Sequence, residues 1–202
     1  MITIVNYGMG NLGSVLNMFK RIGVEAQISN NLGEIEKAEK LLLPGVGAFD
    51  AAMELINNSG LLPVLNYKAM EQKVPVLGIC LGMQLLTNGS DEGVLEGLKW
   101  IDADTKKFEF ANNDMKVPHM GWNFIQPKNT STLMNDLDND SKFYFVHSYY
   151  VQCKNEQNVL STTQYGNSFH SIIQNENIYG AQFHPEKSHK YGMQLLTNFS
   201  KI

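Results

Sequence analysis

The chain is expected to fold as an α/β protein with a doubly wound, mostly parallel sheet, helices on both faces and an antiparallel extension. Three observations lead there. Through residue 86, short apolar runs alternate with helical patterns, the β-α repeat of a parallel sheet. Glycine-rich turns close three of these runs, at residues 8–13, 44–47 and 78–82. Beyond residue 117, strand-like runs follow one another without helices between them, as antiparallel strands do.

In order, residues 2–5 form the first strand, and residues 11–22 a helix with Leu12, Val15, Leu16 and Phe19 on one face. A second strand is expected at 24–28, a short helix at 32–37, a third strand at 40–43, and helices at 48–57 and 61–71. The fourth strand, from residue 74, is an apolar run suited to burial on both faces, and Leu81, Leu85 and Leu86 after it have helical spacing. Residues 88–112 are mixed and polar. Then come residues 117–123, a polar loop at 129–140, a strand-like run at 142–150, strands at 159–164, 169–174 and 178–183, and a closing helix at 190–199. No repeat, low-complexity segment or linker divides the chain, so residues 1–202 are expected to form one domain.

Composition excludes several classes of function. A hydrophobic fraction of 43% suits a folded globular chain, and a net charge of −4 without a Lys/Arg cluster argues against nucleic acid or an anionic membrane as partner. The first residues lack the basic head of a signal peptide, and no apolar run reaches membrane-spanning length. Two cysteines, Cys80 and Cys153, make no disulfide framework, which suits a reducing cytoplasm. No HExxH, CxxC or carboxylate cluster calls for a metal, and no cofactor is expected.

The chemistry centres on Gly78-Ile79-Cys80-Leu81-Gly82, the cysteine form of a nucleophile elbow. A sharp strand-to-helix turn brings the chain close to itself, which the flanking glycines permit. It lifts the thiol to a helix N-terminus, where the dipole and free N–H groups favour a thiolate. Such a nucleophile needs a base and a group to orient that base. His184-Pro185-Glu186 supplies both types: proline holds His184 extended, and residues two apart in an extended chain project to one side. Gly45-Val46-Gly47 is a backbone able to turn N–H groups toward an oxyanion. Residues 8–13 match G-x-G-x-x-G, but the second strand ends in Ser29-Asn30-Asn31 and lacks the acidic residue that holds a ribose. They are taken as a tight turn. His119 and His147 lie in aromatic-rich stretches as candidate core residues, while His170 and His189 are expected at the surface.

With GICLGMQ at 78–84 and FHPEKS at 183–188, the sequence resembles the class I glutamine amidotransferases. YGMGNL, PGVGAF, VPHMGWN and FVHSYY, at 7–12, 44–49, 117–123 and 145–150, are similar to the glutaminase subunits of imidazole glycerol phosphate synthase, and the resemblance covers essentially the whole chain. It implies hydrolysis of L-glutamine by a Cys80–His184–Glu186 triad. An oxyanion hole would come from the Leu81 N–H and one of Gly45, Val46 or Gly47. Gln84, Glu92 and the backbone of Ser148 and Tyr149 would hold glutamine, and Asn11, Trp122 and Lys187 would face a partner. That partner is a cyclase subunit of (β/α)8-barrel fold in a heterodimer, receiving the ammonia through a sheltered passage. The sequence stops just after its last helix, so no second domain is expected to consume the ammonia. Asn6 and Gly13 stand where many histidine-pathway members carry Asp and Arg, and residues 188–193 are similar to paralogues whose ammonia amidates a surface sugar. None of these positions belongs to the triad, so they bear only on the acceptor. A non-catalytic subunit of the same fold would have lost triad residues, and all three are present.

Overall fold

The computed structural model describes residues 1–110 and 115–202. The first half alternates: β1 (Ile2–Val5), α1 (Leu12–Arg21), β2 (Ala26–Ser29), α2 (Leu32–Glu36), β3 (Lys40–Gly45), α3 (Phe49–Asn58), α4 (Leu61–Asn66), β4 (Val76–Cys80) and α5 (Leu81–Leu85). α4 runs on into a π-helical segment, Tyr67–Glu71. The second half adds β5 (Ala103–Lys107), β6 (His119–Phe124), β7 (Gln126–Pro127), β8 (Lys142–His147), β9 (Tyr149–Cys153), β10 (Val159–Tyr165), β11 (Asn167–Asn175), β12 (Ile178–Ala181) and α6 (His189–Lys201).

Among the described residues, ten strands join one sheet in the order β2-β1-β3-β4-β12-β11-β10-β7, with β9 pairing β11 and β5 pairing β9. β2, β1, β3, β4 and β12 are parallel, and the remaining pairs are antiparallel. The parallel strands alternate between two apolar cores. On β3, Leu41 and Leu43 face one side with Phe49, Met53 and Ile56 of α3 and Leu61 and Leu65 of α4. Leu42, with Leu77 and Ile79 of β4, faces the other, where Val15 and Phe19 of α1 meet Leu195, Leu196 and Phe199 of α6. Each fully buried Leu or Phe contributes on the order of 2 kcal/mol by removal from water. That two-sided burial gives the central strands their continuous apolar runs, and it is the expected doubly wound arrangement.

The sequence expectations needed two corrections here. The polar stretch at 88–112 contains β5, whose inward residues are Ala103 and Thr105; with such small side chains a half-buried strand shows no hydrophobic period. Residues 111 and 112 of that stretch lie outside the described residues. The run at 142–150 is two strands rather than one: among the described residues β8 pairs only with β6, in a separate two-stranded ribbon, while β9 joins the main sheet. The break is at Ser148. Among the described residues, no helix is long and apolar enough to cross a membrane.

Candidate active site

Every parallel strand ends at the same edge, and sheet register decides what meets there. Gly45 of β3 lies directly opposite Cys80 of β4. On the other side Ala181 of β12 is opposite Ile79, which delivers Gln182 and then His184 beside Cys80. At Cys80 the backbone adopts φ 55° and ψ −112°, a positive φ in a non-glycine residue and a mark of the strained elbow. Its Sγ lies 3.9 Å from the Val146 carbonyl oxygen and 3.8 Å from the Gln182 amide nitrogen.

His184 is buried and held from three directions. Its N–H donates to Tyr144 O (2.9 Å), its carbonyl accepts from Ser188 Oγ (2.6 Å), and its Nδ1 lies 2.8 Å from Glu186 Oε1. The carboxylate is an obligate acceptor when ionised, so Nδ1 carries the proton and Nε2 is left to face the sulfur. Nε2 has no aligned hydrogen-bond partner, a looseness common before substrate is bound. Burial alone would lower the His184 pKa, but the interactions with Cys80 and Glu186 outweigh it and raise it to about 9. The shift favours the protonated ring.

His184 is extended as expected, at φ −101° and ψ 96°, yet alternation is not what brings Glu186 to it. Pro185–Lys187 curl into a 3-10 turn, which folds the carboxylate back onto Nδ1. The helix after Cys80 is only five residues long. Its dipole is correspondingly small, so the group beside the sulfur best able to carry positive charge is His184.

Cys80 and His184 open into a cleft of about 340 Å³, a small-molecule size, lined also by Val46, Gly47, Leu81, Gln84, Glu92, Ser148 and Tyr149. Gly45 is not in the lining; it is consumed by the β3–β4 ladder, and a Cβ there would lie 2.7 Å from the Tyr7 hydroxyl. Among the described residues, the N–H groups of Val46, Gly47 and Leu81 donate to no backbone or side-chain acceptor. Tyr7, buried, fixes this segment by donating to Pro44 O (2.6 Å). Burial, and then the nearby Cys80, push its phenol well above the ordinary range.

Gln84 Nε2 donates to Tyr149 O (3.2 Å) and to Gln182 Oε1 (3.3 Å), so Gln182 links Gln84 to Cys80. Sequence reasoning missed Gln182, although its place two residues before an extended His184 carried the signal. Glu92 Oε2 accepts from the Phe49 N–H at the start of α3 (2.9 Å), which seats the carboxylate at the cleft wall. His147, also in the lining, donates through Nδ1 to Tyr149 O (2.7 Å) and meets His119 at 3.0 Å. His170 departs from its expected surface position: its side chain is 14% exposed and its Nδ1 accepts from the Cys153 N–H.

Of the expected partner-facing residues, Trp122 and Lys187 come together around Tyr144, with the Lys187 ammonium 5.7 Å above its ring and Trp122 at 6.2 Å. Asn11 stands exposed as N-cap of α1, with no capping bond from its side chain. Met120, Trp122 and Phe124 alternate along the exposed face of β6. Residues 8–13 turn the chain against Pro44, with φ 98° at Gly8 and 104° at Gly10. No group of metal-ligating side chains occurs among the described residues.

Residues 3–202 match the family described as glutamine amidotransferase class-I. The chain is 53% identical over 201 residues to "Imidazole glycerol phosphate synthase subunit HisH 2" of Methanococcus maripaludis, covering 100% of this chain and 99% of that one. It is 48% identical over 202 residues to the protein of the same name in Pseudomonas aeruginosa, covering 100% of both chains. To "Imidazole glycerol phosphate synthase subunit HisH" of Bdellovibrio bacteriovorus it is 46% identical, again over the full length of both. Among solved structures it superimposes on PurLQS from Thermotoga maritima with a TM-score of 0.71 at 16% identity, covering 98% of this chain and 96% of that one. At that identity the likeness concerns the fold alone.

Proposed function

This chain belongs to the class I glutamine amidotransferases, and from that premise we propose that it is the glutaminase subunit of an imidazole glycerol phosphate synthase. In this reading residues 1–202 act as one domain that hydrolyses L-glutamine and passes the ammonia to a cyclase subunit. The observation that carries the chemistry is His184, fixed by Glu186 on one nitrogen and turned toward Cys80 with the other.

Cys80 Sγ attacks the side-chain amide carbon of glutamine. The carbonyl π electrons move onto oxygen, and the oxyanion is met by the Leu81 N–H and by Val46 or Gly47. One such donor is worth ~10²–10³ in rate. His184 Nε2–H protonates the leaving nitrogen, the C–N bond breaks, and ammonia departs from a γ-glutamyl thioester. The neutral imidazole then takes a proton from water as that water attacks the thioester; the carbon–sulfur bond breaks, glutamate leaves, and Cys80 and the protonated His184 are regenerated. Glu92 offers a carboxylate to the substrate's ammonium. Gln84 holds the Tyr149 carbonyl, and the Ser148–Tyr149 backbone borders the ligand.

His184 sets the pH dependence. Its folded pKa lies above the unfolded value of about 6.5, so its stabilising contribution is complete below that pH and is lost as pH rises toward about 9. kcat/KM for glutamine should fall along an alkaline limb near 9 as the general acid is lost. Glu186→Gln removes the charge that supports the imidazolium, so the limb should move to lower pH and the maximum should drop ~10²-fold or more. An unmoved limb in that variant would remove Glu186 from the triad.

The relatives are named as subunits, which supports a protein partner, and the sequence resemblance supports a (β/α)8-barrel cyclase docked over Asn11, Trp122 and Lys187. Free, buried Cys80 and Cys153 suit a cytoplasmic site of action. A second reading, in which the ammonia amidates a sugar, rests on the similarity of residues 188–193 to such paralogues and on Asn6 and Gly13. Glutamate release by the purified chain, alone and then with the histidine-pathway cyclase and its phosphoribulosyl substrate, separates the two. A large rise on adding both is expected. No rise with that cyclase, but a rise with a sugar-amidating synthase, would move the acceptor and leave the glutaminase intact.

A further inference from the structure

Two buried histidines play no part in the triad. His119 opens β6 and His147 closes β8, directly opposite each other in the ribbon. Their rings touch through His119 Nδ1 and His147 Nε2 at 3.0 Å. The chain of contacts continues at both ends. His147 Nδ1 reaches Tyr149 O at 2.7 Å, and His119 Nε2 lies 3.3 Å from Asn123 Nδ2.

The direction of every bond follows from its ends. A backbone carbonyl only accepts, so His147 carries its proton on Nδ1 and its Nε2 must accept. His119 therefore donates from Nδ1, and its own Nε2 accepts. The donor there is Asn123 Nδ2, whose amide is oriented by Oδ1 accepting the Phe124 N–H (2.8 Å) and by a second donation to Gln164 O (2.9 Å). A proton added to either ring would set N–H against N–H. Burial holds both rings neutral, with His119 lowered to about 4 and His147 to about 3. Phe145 and Tyr165 stack against His119 at 4.8 and 3.9 Å, so the ring cannot turn freely.

We propose that Asn123, His119 and His147 are positioning residues, a one-way hydrogen-bond relay that holds the Ser148–Tyr149 backbone ready for glutamine and ties it to β6. The inference rests on the glutaminase reading for the identity of the ligand. At the cleft, Tyr149 O is the shared acceptor of His147 and Gln84, so the relay sets the height of that carbonyl against the ligand. At the other end, β6 presents Met120, Trp122 and Phe124 on its outer face. A shift of that strand moves Asn123 and His119 with it, and a chain of short bonds passes the shift to the glutamine-binding backbone.

Two measurements test this. Long-range ¹H–¹⁵N NMR of the wild-type chain at pH 7 should show both rings neutral and protonated on Nδ1; either ring charged, or protonated on Nε2, overturns the relay. In the complex, His119→Phe fills the aromatic cage but gives His147 no donor, and it should raise KM for glutamine ~5-fold or more while kcat stays within about twofold. His119→Asn places an amide N–H near the Nδ1 position and should return KM to within about twofold of wild type. Should the Phe variant not fold, His119→Gln, whose amide reaches the Nε2 position instead, should show the same rise in KM. An unchanged KM in the donor-less variants, or a fall in kcat alone, overturns the proposal. Absence of glutamate release from the wild-type complex overturns the glutaminase reading instead, and the ring tautomers then decide the relay on their own.

Discussion

Cys80→Ala should release no measurable glutamate from glutamine, a loss of ~10⁴-fold or more, while synthesis from added ammonium salts persists in the complex. The contrast follows from the geometry. Among the described residues, the sulfur is the only cleft group able to form a thioester, with His184 beside it and the N–H groups of Val46, Gly47 and Leu81, which donate to no protein acceptor there, close by. Water alone, activated by His184, has no covalent intermediate to attack. In the proposed complex the cyclase would use ammonia whatever its source, so its chemistry should be untouched. Cys80 is 7% exposed and its side chain is small, so alanine leaves a minor gap and the fold should survive. Parallel assays of glutamate release and of ammonia-dependent product formation check both halves. Retained glutamine use would remove Cys80 from the catalytic role.

The second large effect concerns the turn that carries Cys80. A Cβ on Gly82 would land on the Leu43 carbonyl oxygen of β3, and one on Gly78 would lie 2.5 Å from the Gly82 carbonyl oxygen. These contacts are with backbone, which cannot rotate away. Gly82→Ala must push α5 off the sheet, at a cost of ~3–5 kcal/mol, a large share of a domain's net stability. We expect most of that variant to be insoluble and the soluble remainder to unfold at much lower urea concentration. Gly13→Ala is the control: it lies in α1 with open space around it, and alanine's helix propensity should stabilise by up to ~1 kcal/mol. Equal urea midpoints for Gly82→Ala and the wild type would show that the elbow does not need its glycine.

Much of the site could be read from the sequence because its pieces are local. Cys80 is announced by two glycines within two residues on either side, and His184 and Glu186 are separated by a single proline. The parallel half was legible for a related reason: strands buried on both faces leave continuous apolar runs, and those runs alternate with helical periods. β5 was not legible, because Ala103 and Thr105 can face a core without a hydrophobic pattern. The break between β8 and β9 was hidden for the opposite reason. Residues 142–150 are aromatic and β-forming throughout, and only pairing partners far away in the chain assign the two halves to different sheets.

The sequence by itself determined the class of fold and put forward Cys80, His184 and Glu186 as nucleophile, base and orienting carboxylate, since each reading rests on residue type and short spacing. Tertiary structure decided the rest. Sheet register set Gly45 against Cys80 on one side and carried Gln182 and His184 in on the other. It withdrew Gly45 from the cleft by committing it to the ladder, and it curled Pro185–Lys187 so that a turn, and not strand alternation, joins Glu186 to His184. It also joined His119 to His147 across 28 residues of chain. Periodicity reports which side of its own element a residue faces. Which residue of another element it meets depends on pairing and register, and those exist only once the chain has closed on itself.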